Sequence, residues 1–275
     1  MSQAQTISTN DRVTIELADN GVAHVRFVRP EKMNALDAEM FDSMIEAAQT
    51  LASTQGVRVV VLSGEGRAFC AGIDLSNFTN SSDGGERRLE TRTHGNTNKF
   101  QEVAFQWRRL GVPVIAAVHG VCFGGGLQIA SGADIRIVHP ETRMSVMEMK
   151  WGLVPDMAGY ALWRGLVRDD VLRELVYTNR EFSGAEAQTL GFATYVEKDP
   201  LARAMEIAEV IAGKNPDAIR AAKRLQDAMH DRQTDEILMM ESVEQDSISR
   251  TKNQIEAVMS SMQKRPGKFD EVEVA

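Results

Sequence analysis

Residues 115–128 read Ile115-Ala-Ala-Val-His-Gly-Val-Cys-Phe-Gly-Gly-Gly-Leu-Gln128, an apolar run that meets three consecutive glycines and continues into a second apolar stretch, residues 127–133. The first run has the character of a buried strand and the second that of a buried helix. Glycines at the junction let the backbone turn tightly and approach a ligand with no Cβ in the way. The first turn of a helix carries N–H groups without intrahelical partners and a partial positive charge. Such a turn suits an anion, or an oxygen that becomes an anion during a reaction. It serves equally well as plain close packing, so it assigns a function only in company with other residues.

Outward from this stretch, strands and helices alternate. Residues 13–17 and 22–28 are β-rich and alternating, with Asn20-Gly21 between them as a hairpin turn. The spacing predicts an amphipathic helix over residues 36–51, with Met40, Met44, Ile45 and Ala48 on one side, and a buried strand over 57–63. Residues 76–97 are polar and rich in Gly and Ser and read as a mobile surface loop. A helix is expected over 98–110, a strand over 112–119, and further short strands over 134–138 and 143–147. The pattern is that of a compact α/β core. From Asp169 onward helices dominate, over 170–178, 184–190, 201–213, 215–231 and 235–262, with Asn215-Pro216 as N-cap and first-turn proline. The last of these is long and amphipathic and needs a partner surface, in its own core or on a neighbouring subunit. The expected division is a core with the active site over residues 1–199 and a helical region over 200–275.

With 275 residues the chain can bury a full core, and its formal charge of −8 argues against a nucleic-acid partner. The two cysteines, Cys70 and Cys122, lie far apart in apolar settings and lack zinc spacing, so reduced buried thiols are expected and no metal. The first ten residues are polar and no run is long enough to span a membrane, which points to a cytoplasmic protein. The glycosylation patterns at Asn77 and Asn80 are dismissed for the same reason. No GxGxxG and no Gly-Lys-Ser/Thr stands where a nucleotide site would need one.

Four ordered stretches together resemble the crotonase superfamily, the enoyl-CoA hydratase/isomerase family: Arg29-Pro-Glu-Lys-Met-Asn-Ala-Leu36, Gly66-Arg-Ala-Phe-Cys-Ala-Gly-Ile-Asp-Leu75, Gly120-Val-Cys-Phe-Gly-Gly-Gly-Leu-Gln128, and Phe182-Ser-Gly-Ala-Glu-Ala-Gln-Thr-Leu-Gly191. The resemblance implies an α/β fold, a spiral of repeated ββα units with a C-terminal α-helical oligomerisation region, as a homotrimer or dimer of trimers. It implies an acyl-CoA thioester substrate and no cofactor, CoA being part of the substrate. By matching motifs, the backbone N–H groups of Ile73 and Gly125 form an oxyanion hole for a thioester enolate. Met33, Ala35, Ala71, Gly72, Asp74 and Leu75 fall on the CoA path, and Phe123, Gly124, Gln128 and Met147 on the rest of the substrate site. Lys32 could favour a CoA phosphate.

The catalytic positions depart from the hydratase pattern. The family's hydratases add water with two glutamates. The first would fall at Gln128, which cannot exchange a proton near neutral pH. The second falls at Glu148, whose alternative reading is an ion pair with Lys150 or Arg164. Asp156 resembles an Asp of the dienoyl-CoA isomerase branch, although Pro-Asp-Met-Ala-Gly159 also reads as an N-capped helix start. That branch carries an Asp where this chain has Gln128. Two carboxylates on one substrate allow one to remove a proton and the other to return one at a distant carbon. The expected reaction is double-bond isomerisation of an enoyl- or dienoyl-CoA. The alternatives are hydration of a 2-enoyl-CoA with Glu148 alone and a non-catalytic acyl-CoA binder.

Overall fold

Val59 and Val61 point to one face of a strand and Val60 and Leu62 to the other, and all four are fully buried. Burial on both faces is what a continuous apolar run specifies, and it places this strand at the centre of a covered sheet. The computed structural model of the protein describes residues 5–74 and 89–272. Its larger sheet contains β1 (Gln5–Thr9), β2 (Val13–Leu17), β3 (Val22–Phe27), β4 (Val59–Gly64), β5 (Val114–Val118), β7 (Ile135–Val138) and β10 (Tyr195–Val196), in the order β1-β2-β3-β4-β5-β7-β10. The first three strands pair antiparallel and the rest pair parallel from β3 onward. A smaller sheet holds β6 (Val121–Phe123), β8 (Arg143–Ser145) and β9 (Phe182–Ser183).

The recurring unit is a main-sheet strand, a short extended step in a second layer, and a helix. After β3 the step is Leu36, followed by α1 (Ala38–Ser53), which Asp37 caps by accepting from the Met40 amide. After β4 the steps are Cys70 and Ile73, with α2 (Lys99–Arg109) further on. After β5 comes β6 and then α3 (Gly125–Ser131). After β7 comes β8. The steps stack in parallel, Leu36 on Ile73, Cys70 on Cys122, and β6 on β8. The expected ββα spiral is therefore present.

The remaining helices are α4 (Gly159–Trp163), α5 (Asp169–Thr178), α6 (Gly184–Leu190), α7 (Pro200–Ala212), α8 (Pro216–Ala228), α9 (Thr234–Ile248) and α10 (Lys252–Met262). Ala204, Ala208 and Ala212 of α7 pack against Val59, Val61, Ile115 and Ile137, covering the outer face of the sheet. One expectation needs correction. The helix expected over residues 235–262 is broken at 249–251, where Arg250 takes a left-handed φ of 61° and Thr251 accepts from the Gln254 amide to start α10. The polar start of the chain supplies an edge strand, β1, with Ile7 against the core. Cys70 and Cys122 are free and buried, as expected, and burial pushes the Cys70 thiol up to about 12. Among the described residues no helix is long and apolar enough to cross a membrane.

An ion pair between a buried lysine and a half-buried aspartate ties the helical region to the sheet. Lys223 of α8 donates to both carboxylate oxygens of Asp134, at 2.8 and 2.7 Å, and Asp134 also accepts the Val114 amide at the start of β5. Removing one partner strands the other in a poorly solvated place. Lys223→Ala is expected to lose about 3 kcal/mol of stability, read as a lower denaturant midpoint at unchanged m-value. A midpoint unchanged from the wild type would show that the pair contributes nothing.

Candidate active site

The spiral brings two unpaired amides together. In the bridge between Leu36 and Ile73, the Leu36 N–H donates to the Gly72 carbonyl (2.8 Å) and the Asp74 N–H donates to the Leu36 carbonyl (3.0 Å). Alternation along an extended chain then turns the Ile73 N–H away from Leu36. On the neighbouring step, Gly124 donates to the Ser145 carbonyl (3.0 Å) and has φ 50° and ψ −116°, a conformation open to glycine. That turn places Gly125 at the first position of α3, where its N–H has no intrahelical acceptor. Neither Ile73 nor Gly125 donates to a backbone carbonyl among the described residues. Gly72, at φ 84°, lies directly over the turn: a Cβ there would stand 2.7 Å from the Phe123 carbonyl oxygen and 3.5 Å from the Gly125 nitrogen.

The loops that present these amides are fixed from behind. Arg29 donates through Nη1 to the Ala35 carbonyl (2.9 Å) and to Asp74 Oδ2 (2.7 Å). Asn34, fully buried, donates to the carbonyls of Glu65, Ala68 and Phe69. Both residues lie in the first family-like stretch, but their role depends on partners distant in sequence.

Two carboxyls face the same space. Glu148 opens a 3-10 turn, Glu148–Trp151, and its Oε1 accepts from Gln128 Nε2 at 2.6 Å. Its Oε2 is buried and has no hydrogen-bond partner among the described residues. Burial pushes the Glu148 carboxyl above its ordinary value, the Gln128 hydrogen bond opposes that shift, and the charge of Asp156 adds to it. Burial raises Asp156 as well. Neither bland reading of these acids describes them. Lys150 lies over the Trp151 ring and Arg164 pairs with Asp231, so neither holds Glu148. The N-cap of α4 is Ala158, without a side-chain cap bond, so Asp156 does not cap it.

A cavity of about 730 Å³ joins these groups. Its wall includes the amide-bearing Ile73 and Gly125 and both carboxyls, Glu148 and Asp156. It also includes Met33, Ala35, Ala71, Gly72 and Asp74, together with Phe123, Gly124, Met147 and Lys32. Gln128 is not in the wall. It is fully buried behind Glu148, with its Oε1 accepting from the Met157 amide (3.0 Å) and the Gly159 amide (2.8 Å). Leu75 and residues 76–88 of the expected loop, with Asn77 and Asn80, lie outside the described residues. Leu89, from the loop expected over residues 76–97, lines the wall, and sequence reasoning missed Trp151, Leu153, Val154 and Met157 there. Their signal was available in part: Trp151, Leu153 and Val154 form an exposed apolar run just after Glu148. It also missed Arg143 and Glu181, a two-bonded ion pair (2.7 Å each) on the rim, with the guanidinium over Phe123. Among the described residues no group of three or more His, Cys, Asp or Glu is placed to hold a metal ion.

The arrangement offers fixed donors for a developing oxyanion beside two carboxyls whose proton affinity is raised, the equipment of proton transfer next to a carbonyl. Known proteins agree with it. Residues 18–272 match the family model described as enoyl-CoA hydratase/isomerase. A peroxisomal Delta(3,5)-Delta(2,4)-dienoyl-CoA isomerase of Arabidopsis thaliana is 34% identical over 74% of this chain and 77% of its own. An enoyl-CoA hydratase of Mycobacterium tuberculosis is 33% identical over 71% of this chain and 73% of its own. The crystal structure of an enoyl-CoA hydratase from Bacillus anthracis superposes with a TM-score of 0.85 at 25% identity, covering 94% of this chain and 98% of that one. The α/β spiral with its C-terminal helices is thus a crotonase fold, and the chain is an acyl-CoA enzyme that belongs to the enoyl-CoA hydratase/isomerase family.

Proposed function

We propose that the protein moves a double bond in an enoyl- or dienoyl-CoA without adding water. The thioester oxygen is held by the N–H groups of Ile73 and Gly125. One carboxyl, Glu148 or Asp156, takes a proton from carbon, and the C–H electron pair passes into the conjugated enolate. The enolate collapses as the other carboxyl returns a proton at a remote carbon, so the double bond shifts and no atom is gained or lost. Glu148 is the principal acid/base and Asp156 the second.

The observation that carries this reading is the state of Gln128. Both acceptor positions of its carbonyl oxygen are filled by the Met157 and Gly159 amides. It can neither accept a proton from a water nor hold one for attack, whereas Asp156 supplies a second titratable group on the same cavity. The dienoyl-CoA isomerase among the relatives supports the same choice.

The test is a panel of 2-enoyl-, 3-enoyl- and dienoyl-CoA thioesters in deuterated water. The expected result is a shifted double bond, seen by ultraviolet absorbance, with deuterium on carbon. A 3-hydroxyacyl-CoA as the main product would replace this reading with hydration by Glu148 alone. No change in any thioester would leave a binder. We further propose self-association through α9 and α10, whose Leu238, Met239, Val243 and Met262 are exposed. Light scattering should give a trimer or a hexamer.

A further inference from the structure

Gln128 has no exposed surface, yet three of its hydrogen-bonding positions are used, on two other segments of chain. Its Nε2 reaches Glu148 Oε1 at 2.6 Å, and its Oε1 takes the amides of Met157 and Gly159. Met157 directly follows Asp156, so one planar amide joins α3, the turn that carries Glu148 and the segment that carries Asp156. Gly159 admits it, because a Cβ there would stand 2.7 Å from Gln128 Oε1. The donor on Glu148 Oε1 fixes the orientation of the carboxyl relative to the backbone that bears Asp156.

We propose that Gln128 is a positioning residue: its side-chain amide locks Glu148 to the backbone that bears Asp156 and holds the carboxyl in one orientation for proton transfer. This rests on the acid/base reading of Glu148 given above. The donor also matters electrostatically, since a hydrogen bond to a carboxylate favours its charged form and counteracts burial. A glutamate at position 128 would still accept from the two backbone amides, but it would face Glu148 as a second acceptor. Two such carboxyls share one proton. The other titratable groups around Glu148 are Asp156 in the following segment and Tyr160 of α4, which is raised by burial, Tyr177 of α5 and Glu148. Lys150, Arg143 and Glu181 stand along the cavity wall.

The experiment follows the Glu148 carboxyl by carbon-13 NMR in the full-length protein without substrate, its signal assigned by its loss in Glu148→Gln. In Gln128→Glu the Glu148 titration is expected to rise by about one pH unit or more, a tenfold change in proton affinity. Gln128→Met, which removes the donor without adding charge, raises it by less. The acidic limb of the kcat profile for isomerisation moves with the titration, while KM changes little. A Glu148 titration that stays at its wild-type position in both variants overturns the proposal. If the wild type turns over no thioester, the isomerase reading fails, and the titration still decides the role of Gln128.

Discussion

Glu148→Gln is expected to lower turnover about 10³-fold while a non-reactive acyl-CoA thioether binds within a few-fold of wild type. The glutamine keeps the volume and can still offer an oxygen to Gln128, but it has no proton to exchange. Asp156→Asn should divide the reaction instead. Deuterium exchange at one carbon, driven by Glu148, continues, and migration of the double bond falls because the remote proton is no longer delivered. If Asp156→Asn slowed neither step, Asp156 would be a bystander on the cavity wall. The same glutamate is expected to cost stability at neutral pH. A carboxyl raised on folding binds its proton more tightly in the folded state, so its contribution is present at acid pH and is lost as pH rises through the folded value. Glu148→Gln should therefore melt higher than the wild type at pH 7, and the difference should shrink below pH ~4. An activity loss accompanied by a lower melting temperature at pH 7 would point to disturbed packing.

Gly72→Ala is expected to cost about 10²–10³-fold in kcat, because the new methyl would press on the turn that presents the Gly125 amide, one of the two donors proposed for the thioester oxygen. Its ideal position is 2.7 Å from the Phe123 carbonyl oxygen and 3.5 Å from the Gly125 nitrogen. The step that carries Ile73 must then shift, and the pair of donors no longer converges. Part of the effect is backbone strain, since φ is 84° and a non-glycine residue there costs about 1–3 kcal/mol. Gly56→Ala separates the two causes. Gly56 has nearly the same φ, 83°, and a Cβ there meets nothing within 4 Å. It should share the loss of stability and keep full activity. Equal kcat losses in the two variants would show that strain alone accounts for Gly72.

The elements that were legible in the sequence are those whose signals are local. Residues 184–190 begin at Ser183, which exchanges hydrogen bonds with Glu186 in a capping box, and end at Gly191 with φ 94°, so both boundaries could be read from neighbours. The central strands were legible because burial on both faces leaves a continuous apolar run. The break at residues 249–251 was not, since the amphipathic spacing runs through it and the reversal lies in the backbone of Arg250. At the site, Ile73 and Gly125 came from ordered motifs, and their geometry depends on backbone rather than on side-chain identity. Gln128 shows the opposite limit. Its residue type suggested a place beside substrate, but its partners at Met157 and Gly159 become neighbours only after the chain has wound back, and they draw the amide behind the wall. The lining residues Trp151, Leu153 and Val154 were only partly legible, because an apolar run that faces the substrate space reads in the sequence like one that faces the core.

The stacked second-layer steps also bear on how the protein acquires its activity. Leu36, Ile73 and Gly125 belong to successive turns of the spiral, and no two of them are close along the chain. Helical turns need only local contacts, whereas the proposed oxygen-binding pair exists only after β3, β4 and β5 have paired across long closed loops, the slow and entropically costly kind of contact. During refolding, helical circular dichroism should recover well ahead of turnover, and the last kinetic phase should be the one that restores the enzyme.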